Sequence, residues 1–514
     1  MWLLLMSLLA QVGRGYIWSQ FGRLLEVFLL FLVSLVLART LGPNQYGVFA
    51  FAVSFIAFCS FLATAGIEGN ALGKFVPEAA AGNYQGGVTR LVYDLVGVRL
   101  ISIFVLTGIL LILRPQIESH FGVTGLGHYI AILLVVFGLR SICDLLGNVF
   151  SGMLDMGIVM AGRSAVPFVT LLIVGGTILL SRGITLGFAF VALLFGQSAA
   201  LVIFLLATRK RIPGTCPQPG GQMFTLRRVM IFGIFVWLSG LFVFVLNDGS
   251  DVILLGWLLK DARQIGWYSI GASLAFRPAS LVLAWMPLMG MAFGAKVLLA
   301  KGHEGLVRGT EASLKLTSLS LIPSMLIVAR FAPQFVGLLY SQRYDASVPV
   351  TRILCLLLAM SGFLGFGAHA GILYLLNREK TSCAIFGGSA FFNMVLAIPM
   401  IKAFGIQGAA FATGLSSILF CSACAIIGTP FCRIRWPWKF NIKVVAASLL
   451  GTVSTLWMNP ATLVGLALGC ILWGVVFVIS LLFLKPLSLG DVRPLRKINP
   501  QLGNVMERLF AGAA

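Results

Sequence analysis

Along most of this chain the apolar residues neither alternate nor recur at helical spacing. They run in unbroken blocks, separated by short clusters of Gly, Pro, Asn, Arg and Lys. A block of about 20 apolar residues is long enough to cross a hydrocarbon core of about 30 Å as a helix. Fourteen blocks are read this way, at 17–38, 45–65, 91–113, 128–150, 164–181, 185–207, 229–259, 266–295, 314–330, 348–376, 383–401, 408–427, 441–458 and 461–484. The expected fold is an all-α polytopic membrane protein whose two ends lie on one side, since the span count is even.

The pattern also repeats. "QYGVFAFAVSF" (Gln45–Phe55) aligns with "QIGWYSIGASL" (Gln264–Leu274) at an offset of 219 residues, and each opens the second helix of a hairpin. "GITLGFAFVA" (Gly183–Ala192) aligns with "GIQGAAFATG" (Gly405–Gly414) at an offset near 221. Six spans separate each pair, and an even number preserves direction. The halves are therefore read as parallel repeats about an axis along the membrane normal. This divides the chain into an N-lobe of six helices with its linker (1–228), a C-lobe of six (229–440), two added helices (441–484) and a basic tail (485–514).

Composition agrees with the span reading. Hydrophobic residues make up 59% of the 514 positions and charged residues 10%, against about 25% charged in soluble domains. Mean hydropathy is +1.00. The formal net charge of +21 would fit a nucleic-acid binder, but its location excludes that class. With the N-terminus inside, the cytoplasmic connections carry 24 of the 37 Lys and Arg and the opposite connections nine. Such a bias sets topology, so both termini are expected in the cytoplasm. The apolar Met1–Ala10 lacks a basic n-region, so an interfacial lead-in to the first span is expected rather than a cleaved signal peptide.

Site chemistry is sparse. Nine Cys fall mostly inside apolar blocks, and Cys421 and Cys424 form a CxxC in mid-span "LFCSACAII" with no polar neighbours, which reads as packing. His120, His128, His303 and His369 are scattered without ligand spacing, and neither metal nor organic cofactor is expected. A nucleotide-binding fingerprint is absent, and the largest cytoplasmic loop, near 208–228, is too short for an ATPase domain.

The stretch "LARTLGPNQYGVFAFAVSF…GIEGNALGKFVPEAAAGN", with "FAPQFVGLLYSQRYDASVP" and "FGIQGAAFATGLSS", resembles the polysaccharide-biosynthesis flippases of the MOP superfamily (Wzx-type) over nearly the whole chain. The resemblance implies two six-helix lobes around a V-shaped cavity. It also implies a multi-pass carrier of the bacterial inner membrane that moves an undecaprenyl-diphosphate-linked oligosaccharide outward by alternating access. In the first stretch, Gly42-Pro43 supplies a turn, Gly47 permits close helix packing, and Tyr46 and Phe49 suit the interfacial aromatic belt.

Ionisable groups at membrane depth cost about 2.5–3.5 kcal/mol each and mark function. Here they are Arg23 and Glu26 in span one, Arg99 in span three, Arg140 and Asp144 in span four, Asp248 and Asp251 in span seven, Arg277 in span eight and His369 in span ten. Arg23/Glu26 (i,i+3) and Arg140/Asp144 (i,i+4) each share a helix face, which is either local neutralisation or part of a site. Arg277 precedes Pro278 and, across a hairpin turn near Ala262-Arg263, is level with Asp248, so a broken-helix midplane site is expected. Gly249 in "LNDGSD" is a second weak point. Asp248–Arg277 is either a buried salt bridge alone or a substrate site in which the guanidinium fork grips a diphosphate. On the flippase reading Arg277, Arg99, Arg23 and Arg140 are the diphosphate ligands, and Asp248, Asp251, Glu26 and Asp144 the coupling or gating acids. Trp237, Trp257, Trp267, Tyr268 and Trp285 gather around the same two spans.

Moving about two negative charges outward across an inside-negative membrane releases about 4–5 kcal/mol per 100 mV. Either this potential or antiport of Na+ or H+ through Asp248 and Asp251 is the expected drive. The expected partners are the lipid-linked glycan, membrane lipids, a glycan polymerase and, for the basic tail, anionic headgroups; nucleic acid is not among them. A MATE-like exporter of small organic cations is the alternative on the same fold. A membrane glycosyltransferase or polymerase would need long outer loops with catalytic groups; the longest here, near 331–347, offers only Asp345.

Overall fold

Long apolar blocks become long helices because a helix satisfies its own backbone in lipid. The computed structural model describes residues 2–486 except 65, 67–68, 122–125, 181–182, 213–223, 284–290, 368–372, 374–377, 433 and 435. Among the described residues there is helix and turn but no strand. The helices are α1 (Trp2–Leu62), α2 (Gly69–Ala80), α3 (Gly87–Ile112), α4 (Arg114–Phe121), α5 (Ile130–Gly152), α6 (Met156–Leu179) and α7 (Leu186–Arg211). They continue as α8 (Leu226–Val245), α9 (Asp248–Leu259), α10 (Ala262–Val282), α11 (Met291–Arg330), α12 (Ser347–Phe363), α13 (Glu379–Cys432), α14 (Trp438–Ser454) and α15 (Leu463–Leu484). Nine of the described helical stretches are long and apolar enough to cross a membrane, and Ser347–Phe363 is a shorter apolar one. Phe104, Leu179 and Phe483 are each more than four-fifths exposed, as suits side chains that face lipid rather than water.

Two of these helices are each two expected spans joined end to end. Within α1 the backbone breaks at Gly42 (φ 73°), a conformation glycine reaches without a Cβ penalty, and Pro43 removes the next N–H from the ladder. The hydroxyl of Thr40 donates to the carbonyls of Val36 and Leu37 (2.9 and 3.2 Å) at the close of the first half. Within α13 the break is at Gly405 (φ 57°). A Cβ at Gly408 would overlap the Met400 carbonyl, so the two halves of α13 meet backbone to backbone.

Several expectations are corrected. The hydropathy pattern predicts loops over 66–90 and 114–127; α2 and α4 occupy parts of both. They are too short for a hydropathy block. The span expected at 314–330 begins at Met291, because α11 extends through the basic segment, where Glu304 and Arg308 pair at i,i+4. The span expected over 348–376 ends as a helix at Phe363, followed by left-handed Gly365 and Gly367. His369 and the tail from 487 lie outside the described residues.

Contacts divide the chain into two units, Met1–Ser269 and Ile270–Ala514, with the boundary inside α10. The first has a core of Leu72, Phe75, Leu91, Leu146, Phe150 and Phe204 with their neighbours on α2, α3, α5 and α7. The second is built around Ile322, Phe331, Val444 and Trp473, where α14 and α15 pack against α11.

Candidate functional site

The second half of α1 is lined along its length by α8, α9 and the first turns of α10, all within the first unit. A Cβ at Gly47 would overlap the carbonyl oxygen of Ala262, and one at Gly266 would overlap that of Pro43. These two glycines are the repeat equivalents at offset 219, and they meet. At the other end a Cβ at Gly233 would overlap the Gly66 carbonyl. Between the glycines lie aromatic contacts: Phe61 stacked on Trp237 (5.9 Å), Phe58 tilted against Phe244 (5.2 Å) and Phe51 under Gly256. The seam is thus close backbone at both ends and aromatic in the middle.

A helix break falls beside this seam. The sequence reading placed the weak point at Gly249; the helix ends at Val245 and restarts at Asp248, with Asn247 extended (φ −100°, ψ 160°) as the cap residue of α9. The Ser250 hydroxyl donates, shared between them, to the carbonyls of Val245 (2.7 Å) and Asn247 (2.8 Å), and the Asn247 carbonyl also accepts from the Ser250 N–H (3.2 Å). This places Asp248 and Asp251 in the first turn of α9, where the helix dipole favours negative charge. Asp248 is half-buried, and Asp251 is fully buried. The hydroxyl of Tyr268, itself fully buried, donates to Asp251 Oδ2. A buried carboxylate held by one phenol and one helix terminus is a group that can hold a proton or a small cation.

The turn to α10 is at Lys260 (φ 54°) and Asp261, two residues before its expected place. Asp261 accepts from the backbone N–H of Arg263 (2.9 Å) and from Gln264 Nε2 (3.1 Å), which fixes the start of α10 at the Gly47–Gly266 crossing. The break expected at Arg277-Pro278 is not there: α10 runs through both to Val282. One proline costs the helix a single hydrogen bond and a local bend, which the surrounding packing can carry. Arg277 is half-buried and lies in the second unit, whereas Asp248 lies in the first.

The remaining expected residues separate by environment. Arg140 Nε lies 3.8 Å from Asp144 Oδ2, with the two side chains 32% and 50% exposed, so this pair neutralises itself on α5. Arg23 is exposed, whereas Glu26 is half-buried with Oε2 shielded; among the described residues the two form no ion pair. Arg99 is 1% exposed, enclosed on the buried face of α3 with Leu91, Val92 and Leu95. Cys421 and Cys424 are both buried free thiols.

Sequence reasoning counted Tyr268 among the aromatics and missed its role as the partner of Asp251. The same hairpin-depth argument that paired Asp248 with Arg277 would have found it, since Asp251 and Tyr268 lie at similar distances on either side of the Lys260 turn. A polar cavity of about 690 Å³ was also unforeseen. It is lined by Asn44, Gln45, His128, Tyr129, Thr185 and Lys260, among others, beside the Gly47–Gly266 crossing.

Residues 36–349 match the model of a family described as polysaccharide biosynthesis protein. No curated protein matches the chain. Among solved structures, the lipid II flippase MurJ in an inward closed conformation superposes with a TM-score of 0.68 at 16% identity, covering 91% of this chain and 97% of that one. A multidrug resistance MATE family transporter of the MOP superfamily, inward-facing, gives 0.64 at 13% identity, covering 80% and 98%. MATE in complex with MaL6 gives 0.54 at 15%, covering 82% and 95%. At these identities the likeness is one of fold.

Proposed function

The chain belongs to the polysaccharide biosynthesis protein family, and from that premise we propose that it flips an undecaprenyl-diphosphate-linked oligosaccharide from the inner to the outer leaflet of a bacterial cytoplasmic membrane. The observation that carries this reading is the family match over 36–349, on a chain whose fold is that of a lipid-linked precursor flippase over 91% of its length. Both termini lie in the cytoplasm on this reading, following the charge bias of the loops.

Alternating access requires contacts that close and part. The seam of α1 with α8, α9 and α10 suits that task, because backbone-to-backbone glycine contacts and stacked rings can separate without leaving unpaired charges behind. Arg277 is the ligand of the diphosphate in the cavity. Arg277 is half-buried, and the planar fork of a guanidinium matches phosphate oxygens. Arg140, already paired with Asp144, contributes least. Asp251 with Tyr268 is the group that binds a proton or sodium ion when transport is coupled to one. The membrane potential supplies the remainder.

The test uses purified protein in proteoliposomes carrying a lipid-diphosphate oligosaccharide, with glycan accessibility read on the opposite leaflet. Wild type should flip; Arg277→Ala should lose flipping while keeping its fold; Arg277→Lys should retain part of it. If no variant flips and organic cations exchange for protons, the carrier is an exporter of the MATE kind and this reading falls.

A further inference from the structure

The first turn of α8 breaks a local rule. A helix N-terminus carries positive partial charge and favours acids, yet α8 opens with Leu226, Arg227 and Arg228 and has no acid in its first turn. Thr225, at its cap position, is extended and makes no side-chain capping bond. Two guanidiniums have been placed where the backbone is already positive, and an anion would relieve both.

A pocket of about 480 Å³ lies at this spot, lined by Lys74, Phe75, Thr225, Arg227, Arg228, Ile231 and Phe232. Among the described residues it holds three cations from two helices, α2 and α8, and no acid. Among the described residues none of the three forms an ion pair, including Lys74 with Glu78 one turn along α2. Lys74 Nζ sits 4.9 Å over the Phe232 ring and 5.6 Å from that of Phe75, so cation–π attraction holds the ammonium toward the pocket wall.

The frame beneath is rigid. Phe224 packs between Phe75 (5.1 Å) and Tyr84 (5.0 Å), and its N–H donates to the Asn83 carbonyl (2.9 Å). Asp94 on α3 is held by the Tyr84 hydroxyl (2.7 Å) and by Arg90 (3.2 Å). Burial, and then that bond, push the Tyr84 phenol up to about 12, so it stays a donor. The next residue after Phe232 is Gly233, whose backbone meets Gly66 at the end of the seam.

We propose that this pocket binds a lipid-linked diphosphate: Lys74, Arg227, Arg228 and the free N–H groups of α8 take the phosphates, and Phe75, Ile231 and Phe232 take the first isoprenoid carbons. Three cations exceed what a singly charged phospholipid phosphate needs and match a diphosphate. The loops' charge bias assigns this end to the cytoplasmic side, where the carrier lipid would enter. Because the ligand bridges α2 and α8 beside Gly66 and Gly233, its arrival bears directly on that end of the seam. This inference rests on the flippase reading for its direction but not for its ligand.

The experiment measures binding of a polyprenyl diphosphate to the full-length protein in phosphatidylcholine nanodiscs, with phosphatidylglycerol as competitor and leaflet flipping as a separate readout. The triple variant Lys74→Ala/Arg227→Ala/Arg228→Ala should bind on the order of 100-fold more weakly at an unchanged melting temperature. Arg209→Ala/Lys210→Ala, which removes basic side chains elsewhere in the same connection, should bind as wild type does. Equal loss in that control, no loss in the triple variant, or displacement by equimolar phosphatidylglycerol overturns the proposal. Should wild type bind the diphosphate through this pocket yet flip no glycan, the transport reading fails and the pocket assignment stands.

Discussion

Two packed regions of this molecule are held together in opposite ways. The seam of α1 with α8, α9 and α10 uses Gly47 against Ala262, Gly266 against Pro43, Gly233 against Gly66, and rings between them. Where α14 and α15 join α11, directed polar bonds staple the helices. Arg330 Nη2 donates to the carbonyls of Thr455, Leu456 and Met458 at the end of α14 (3.2 Å to Leu456 and 2.6 Å to Met458). Gln334 bonds Asn459 at 2.7 Å, and at the far end Asn441 Nδ2 reaches the Phe363 carbonyl at 2.9 Å. Dispersion contacts release cheaply and re-form, whereas parting the staples would leave the carbonyls that Arg330 caps without their donor. On the proposed carrier reading, the first region is the one suited to part and the second the one suited to stay.

The largest effect should come from filling the seam. Gly47→Leu or Gly266→Leu drives a side chain into backbone that has nowhere to go, an overpacking of about 1–3 kcal/mol or more. Flipping should fall to background in the proteoliposome assay, and disulfide trapping of a Phe61→Cys/Trp237→Cys pair should drop with it. Gly175→Leu meets open space and should do neither. Normal flipping by the Gly47 and Gly266 variants would show that the seam does not work as a gate.

Removing a staple should act on stability instead. Arg330→Ala leaves the carbonyls of the turn that follows α14 without their donor and should cost about 2–3 kcal/mol, read as a lower melting temperature in detergent, with flipping in the surviving protein retained. Arg330→Lys should recover only part, since an ammonium cannot reproduce the fork. Next in size, Tyr268→Phe removes the donor to a buried carboxylate, worth about 1–3 kcal/mol. If Asp251 carries the coupling proton, Asp251→Asn should flatten the pH dependence of flipping while leaving potential-driven flipping in place. The smallest effect expected is that of Trp473→Phe, which loses the Nε1 bond to the Thr452 hydroxyl (3.2 Å) at about 1 kcal/mol.

Much of the fold was legible because hydropathy and helix geometry use the same ruler. α3, α5, α6, α7 and α15 lie within a few residues of their expected bounds, apart from α6, which starts at Met156 rather than 164. Short amphipathic helices such as α2 and α4 were illegible, since neither their length nor their mean hydropathy separates them from loops. That cost the candidate site most. Lys74 read as one loop charge among many until α2 set it beside Arg227 and Arg228. The 219-residue offset marked Gly47 and Gly266 as equivalents, but nothing in one sequence says that equivalents touch.

The sequence by itself determined the solvent, the all-helical class, the family and the residues that are costly to keep in lipid. Those follow from transfer free energies that each side chain carries wherever the chain goes. Tertiary structure alone decided which of those charges are spent on each other, as Arg140 and Asp144 are, and which are held by a neighbour, as Asp251 is by Tyr268. It also decided that glycines far apart in the chain form a single seam. Pairing depends on distances across helices, and a one-dimensional pattern records only distances along them.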